Sequence, residues 1–233
     1  MYFWSVQVLV KSILELAALI LGLVNGLMLL RGYLRDRSIL KVEPVHPDTY
    51  QWFFRLPEGE CKGLPTRRYG FLAYIDIVNC GRRDVSVSGW RLHGITKGGK
   101  RFEMKPMSIQ EPKITIREAY TKIYPVLGVR GLQFAGDTMV KSGASMSGFC
   151  YYLAEFFGNP NWDVSVHEGT ARLEITVQSV FGNIAKTKVI FKEISLEKAD
   201  KIIPGIANIQ SADEDWDDPA RVNVFETARS IIY

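Results

Sequence analysis

Any chemistry in this chain has to come from a small set of side chains, and the three histidines come first. His46, His93 and His167 stand far apart, and none lies near another His or Cys at a metal-ligand spacing such as Cys-x2-Cys or His-x3-His. They read as surface or locally bonded histidines, and no metal or other cofactor is expected. Gly143-Ala144-Ser145-Met146-Ser147-Gly148 approaches a nucleophile elbow, but Ser147 stands where the second glycine must relieve the strained turn. It reads as a loop entering a strand. Gly128-Val129-Arg130-Gly131 and Lys97-Gly98-Gly99-Lys100 open no helix, so neither cradles a phosphate and both read as turns. Cys61, Cys80 and Cys150 are odd in number and irregularly spaced, which suits reduced thiols better than a disulfide framework. No catalytic constellation emerges, and the chain is not expected to be an enzyme.

The most informative polar residues lie inside an apolar run. Val6 to Leu30 carries Lys11, Glu15 and Asn25, and the series Lys11, Glu15, Ala18, Gly22, Asn25, Leu29 alternates spacings of four and three. That is the seam of a packed helix pair. Gly22-x-x-x-Gly26, with Ala18 one turn earlier, adds the small residues that let two backbones approach. The seam therefore predicts a partner helix, either a second copy or a different subunit.

The element that must carry this seam is a helix long enough to cross a bilayer, since spanning takes about 20 mainly apolar residues. Trp4 and Tyr33 would lie ~44 Å apart on it, about the headgroup-to-headgroup thickness, as an aromatic belt at each interface requires. The first ten residues contain no Lys or Arg and the run ends in Arg31-Gly32-Tyr33, so the segment reads as an uncleaved anchor and not as a signal peptide. Arg31, Arg35, Arg37 and Lys41 follow as a collar on anionic lipid, and they favour the large domain on the cytoplasmic side. Membrane lipid accounts for this basic stretch without nucleic acid. No Asn-x-Ser/Thr sequon occurs in the chain.

Of the 233 residues, those past the collar suffice for one domain and a tail. The net charge of +4 gathers near the anchor, whereas Ser211 to Pro219 holds five acids. Strands are predicted at Phe71–Val78 and Asp84–Ser88, read as a hairpin through Asn79-Cys80-Gly81, with Gly89 as a β-bulge before Trp90-Arg91-Leu92. Lys97 to Lys100 then turns into Arg101–Met104. Further strands are predicted at Lys113–Ile116, Ser147–Phe157, Ala171–Val180 and Lys186–Ile194, with Phe181-Gly182-Asn183 turning the third of these into the fourth. Short strands of this kind predict an antiparallel sandwich or barrel, of which the sandwich is preferred. Trp90 is expected in its core. The outward members of the pairs Tyr151/Tyr152 and Phe156/Phe157 are candidates for a binding surface, and Tyr50-Gln51-Trp52-Phe53-Phe54 is a candidate for the lipid interface.

The phrase from Ile77-Val78-Asn79-Cys80-Gly81 through Val85-Ser86-Val87-Ser88-Gly89-Trp90 resembles the opening of immunoglobulin-like β-sandwich domains in bacterial single-pass membrane-anchored proteins of unassigned activity. Val177-Gln178-Ser179-Val180-Phe181-Gly182-Asn183 resembles their late hairpin. The resemblance covers Ile39 to Ser195, concerns architecture alone and brings no catalytic residues; no Cys pair flanks Trp90 at antibody spacing.

The chain thus divides into a transmembrane anchor and collar (1–38), a β-sandwich (39–196), and an acidic linker with a C-terminal helix (197–233), the helix predicted at Ala220–Ile231 behind the N-cap pair Asp218-Pro219. The fold class is mainly β, with one N-terminal transmembrane α-helix and a short helical tail. The expected function is that of a membrane-anchored, cytoplasm-facing interaction or assembly subunit, with membrane lipid, another transmembrane helix and a protein docked on the tail as partners. Two other readings compete. One is an enzyme or small-ligand receptor with its site on loops such as Gly128 to Gly148, and the other an extracytoplasmic adhesion or envelope module with inverted topology.

Overall fold

A computed structural model describes residues 2–35, 39–61, 64–107, 109–116, 120–127 and 138–208. A single helix α1 spans Tyr2–Arg35. The described strands are β1 (Leu40–Pro44), β2 (Gln51–Cys61), β3 (Leu64–Asn79), β4 (Val85–Ile95), β5 (Arg101–Met104), β6 (Lys113–Ile116), β7 (Tyr120–Ile123), β8 (Met139–Val140), β9 (Ser145–Phe157), β10 (Val166–His167), β11 (Thr170–Ser179) and β12 (Ile184–Glu193), followed by α2 (Leu196–Ile202). Ten of them share one sheet, whose main path runs β1-β3-β2-β12-β11-β4-β5 with β9 on the other side of β3; β6 and β7 form a separate hairpin.

Two kinds of strand pattern produce two kinds of layer. The runs Gln51–Phe54, Phe71–Ala73 and Phe149–Ala154 are apolar at nearly every position because β2, β3 and β9 are covered on both faces. Phe53, Phe71 and Tyr152 enter the principal core on one side, while Phe54, Leu72 and Tyr151 pack on the other in a second cluster closed by Ala199 and Ile202 of α2. By contrast β11 and β12 largely alternate, with Leu173, Ile175 and Val189 inside and Arg172 and Lys188 outside. The two parts of the sheet meet in the principal core, where the rings of Phe71 and Phe191 stand edge to face at 5.4 Å.

The predicted glycine turns are present, and the bulge expected at Gly89 lies one residue earlier. The register shifts between Gln178 and Ser179, which pair with Gly89 and Val87, so Ser88 is the extra residue of a bulge and Trp90 turns back into the core. Gly99 and Gly182 sit at φ +81°, where glycine carries no steric penalty, at the turns after β4 and after β11.

Three expectations are corrected. β3 and β4 do not form a hairpin: β1 and β2 occupy one edge of β3 and β9 the other, leaving β4 to pair with β5, β8 and β11. The turn at Asn79 is a crossover, held where the Asn79 amide donates to the carbonyls of Arg83 (2.7 Å) and Val140 (3.0 Å). The Gln51–Phe54 segment does not lie at a lipid interface, because all four side chains are buried within the domain. Nor has the pair Tyr151/Tyr152 an outward member, since β9 is covered on both faces there.

α2 opens at Ser195, whose Oγ accepts the Lys198 amide at 3.3 Å, and Ile203 and Ile206 continue the buried surface beyond it. The acidic run at Ser211–Pro219 and the predicted helix at Ala220–Ile231 lie outside the described residues.

Close packing among the neighbouring strands β11, β4 and β5 gives a first prediction. A Cβ at Gly94 would collide with Cζ of Phe102 and stand 2.5 Å from Cδ2 of Leu173, both core side chains. Gly94→Ala should cost about 1–3 kcal/mol by overpacking, a fall of roughly 2–12 °C in a thermal melt of the detergent-solubilised chain. An unchanged melting temperature would mean that β4 and β11 yield at no cost.

Candidate functional site

The 34 residues of α1 make a rod about 51 Å long. Its segment Ile13–Tyr33 is long and apolar enough to cross a membrane, and none of it is buried against the rest of the chain. Leu14, Leu16, Leu19, Leu21, Leu23 and Leu27 are each 59–65% exposed. Leaving six such side chains in water forgoes about 10 kcal/mol or more of burial, so the helix calls for an apolar surrounding.

The seam residues Lys11, Glu15, Ala18, Gly22, Asn25, Gly26 and Leu29 are all exposed. At 3.6 residues per turn they fall within a stripe about 100° wide. Beyond the helix's own backbone and the adjoining residues, no atom comes within 4 Å of where a Cβ would stand on Gly22 or Gly26, so the stripe has a bare backbone stretch flanked by the Asn25 amide. This arrangement can admit a second helix at close range and offer it one hydrogen-bonding side chain. Lys11 and Glu15, one turn apart, can pair with each other. Of the collar, Arg31 lies in the penultimate turn of α1, near the end where a cation complements the helix dipole, Arg35 is the last residue of α1, Lys41 is exposed on β1, and Arg37 lies outside the described residues.

The domain separates the titratable groups. His46 sits in the turn after β1 at φ +48°, and His167 is exposed on β10 beside Glu168. His93 on β4 lies 3.7 Å from Glu103; partial burial holds its pKa below the ordinary value despite the opposing pull of Glu103 and Glu174. Among the described residues no three His, Cys, Asp or Glu side chains come together as a metal site. Burial pushes the Cys150 thiol up to about 12, which keeps it protonated and unreactive at neutral pH. In the stretch that approaches a nucleophile elbow, Gly143 makes a turn at φ +71° and Ser147, already on β9, donates to Asp76 at 2.8 Å. It is the entry to a strand, as its spacing indicated. The loop at Gly128–Gly131 lies outside the described residues.

Two polar clusters escaped the sequence reading. Asp163, buried, accepts Lys97 Nζ at 2.9 Å and its own neighbour's amide, Val164 N, at 2.9 Å, with Arg67 Nε at 3.8 Å. Burial, then a hydrogen bond to Asp163, raises the Tyr69 hydroxyl to about 12. Arg67 also donates to the carbonyls of Gly158 and Asn159, so the group clamps the loop before β10 to the turn after β4. The second cluster is the ion pair of Arg68 Nε with Glu155 Oε1 at 2.9 Å, with both side chains no more than 6% exposed on facing positions of β3 and β9. The partners lie 87 residues apart in the chain, a separation no local pattern reveals.

Neither a protein-family description nor a curated protein matches the chain. Among solved structures it is similar to a structural-genomics target at 10% identity, over 76% of this chain and 96% of that one, with a TM-score of 0.28. It is also similar to the ApaA protein from Bordetella pertussis at 12% identity, over 68% and 96%, with a TM-score of 0.28. An inactive exo-β-N-acetylglucosaminidase mutant from Vibrio harveyi aligns at 13% identity, over 66% of this chain and 18% of that chain, with a TM-score of 0.18. At such scores none of them bears on the activity.

Proposed function

We propose that this chain is a single-pass membrane protein in which an uncleaved α1 holds an immunoglobulin-like β-sandwich at the cytoplasmic face, and that it serves as an interaction or assembly subunit of a membrane complex. The observation that carries the reading is the coincidence, on one stripe of an otherwise lipid-suited helix, of Lys11, Glu15 and Asn25 with Gly22 and Gly26. Polar side chains in a span nearly always face protein, and Glu15 and Asn25 both lie within Ile13–Tyr33. The sandwich part of the proposal is supported by the pairing, antiparallel except between β12 and β2, and by the contact of Phe71 with Phe191 inside the domain. Orientation rests on the Arg collar.

Topology gives the second prediction. The turn Lys97–Lys100 is exposed and lies at the end of β4 remote from Val85. In a chain freed of its native cysteines, Lys100→Cys should resist an impermeant thiol reagent in intact cells and label once the membrane is permeabilised. Labelling in intact cells would invert the topology and with it the cytoplasmic role.

A further inference from the structure

The strand directions determine which end of the domain lies beside the helix. From Arg35 to Leu40 there are five residue steps, at most about 18 Å of chain. Leu40 pairs with Asn79, and Ile39 accepts the Cys80 amide at 2.8 Å. Asn79 reaches the carbonyls of Arg83 and Val140; Val140 pairs with Val85; and the Val180 amide donates to Ser86 at 3.0 Å. The crossover at residues 80–84, the loop around Lys141 and the turn between β11 and β12 therefore gather at the end where the chain arrives from α1.

That end is unusually apolar for a set of loops. Phe181 is 71% exposed at the turn tip, with Val180 and Ile184 beside it, and Met139 and Ile39 are exposed as well. Gly182 at φ +81° supplies the turn, so backbone geometry makes no demand for an aromatic ring next to it. Arg82, Arg83 and Lys141 are exposed around these residues; the acid among them, Asp84, accepts the Ser142 amide at 2.8 Å.

We infer that this end of the domain rests on the bilayer, with Phe181 and Val180 entering the interface and Arg82, Arg83 and Lys141 meeting anionic headgroups. The inference rests on the reading of α1 as a membrane span. Exposed apolar side chains such as Phe and Leu bury at the headgroup–acyl boundary, and cations within a Debye length, about 10 Å, of anionic lipid are drawn to it. The domain would then be held in a fixed attitude to the membrane and not swing on a tether.

The test uses the full chain in vesicles of phosphatidylcholine and phosphatidylglycerol with brominated acyl chains. Trp fluorescence of Phe181→Trp, Lys100→Trp and Leu21→Trp is compared with that of the wild type, whose five tryptophans give the background. Quenching is expected at positions 181 and 21 and not at 100. Changing Arg82, Arg83 and Lys141 to Glu should reduce the quenching at 181, because each lost cation weakens docking about fivefold. If position 21 is quenched and 181 is not, the inference is overturned and the anchor stands; a blue-shifted but unquenched signal at 181 means protein covers this end and overturns it equally. If position 21 is itself unquenched, the membrane span fails, and the inference with it.

Discussion

Glu155→Ala is expected to remove about 3–5 kcal/mol of stability, the cost of breaking a buried ion pair from one side. The carboxylate lies 2.9 Å from Arg68 Nε between strands otherwise filled with aromatic side chains, and alanine would leave the guanidinium buried without it. For a domain of this size each kcal/mol is worth about 2–4 °C, so the melt should fall by roughly 6–20 °C. Replacing both partners, Arg68→Met with Glu155→Leu, should recover most of the loss, since a well-packed apolar pair of similar volume is often neutral or stabilising. A single variant that melts like the wild type would show that Arg68 finds adequate solvation elsewhere, and the ion pair would lose its structural role.

What the sequence made legible depended on how local the determining interactions were. α1 was plain because its apolar run exceeds anything a soluble strand or helix needs, and β11 and β12 were plain because alternation and the Phe181-Gly182-Asn183 turn are adjacent features. The bulge at Ser88 was also visible, since Gly89 interrupts an alternation that Trp90 resumes. The β3–β4 pairing failed for a non-local reason: sequence adjacency favours a hairpin, but β1, β2 and β9 take both edges of β3. α2 spans only seven residues, too few for a helical period to stand out, and its buried Ala199 and Ile202 matter only because the back of β2 and β9 needs cover. Among the candidate functional residues, the stripe on α1 can be drawn from the sequence because spacing along one helix defines it. The Asp163 clamp joins β3, the turn after β4 and the loop before β10, so no window of sequence contains it.

The seam carries the second large effect. Gly22→Ile places a branched side chain where the backbone is now bare to 4 Å, and should block close approach of a partner helix. Asn25→Leu keeps volume and apolarity but removes an interhelical hydrogen bond worth about 0.6–2 kcal/mol, a loss of roughly 3- to 30-fold in association. Leu23, outside the stripe and about 60° around the helix from Gly26, serves as the control: Leu23→Ile preserves the lipid-facing surface and should change nothing.

The most direct measurement is therefore copurification of full-length chains extracted from membranes in mild detergent. Wild type, Gly22→Ile, Asn25→Leu and Leu23→Ile are each tested for capture of a differently tagged second copy and of any foreign membrane subunit that the wild type retains. Wild type and Leu23→Ile are expected to hold their partner, Asn25→Leu to hold it weakly and Gly22→Ile to lose it. A wild-type helix that captures nothing, or four chains that behave alike, would contradict an assembly role and leave α1 as an anchor alone.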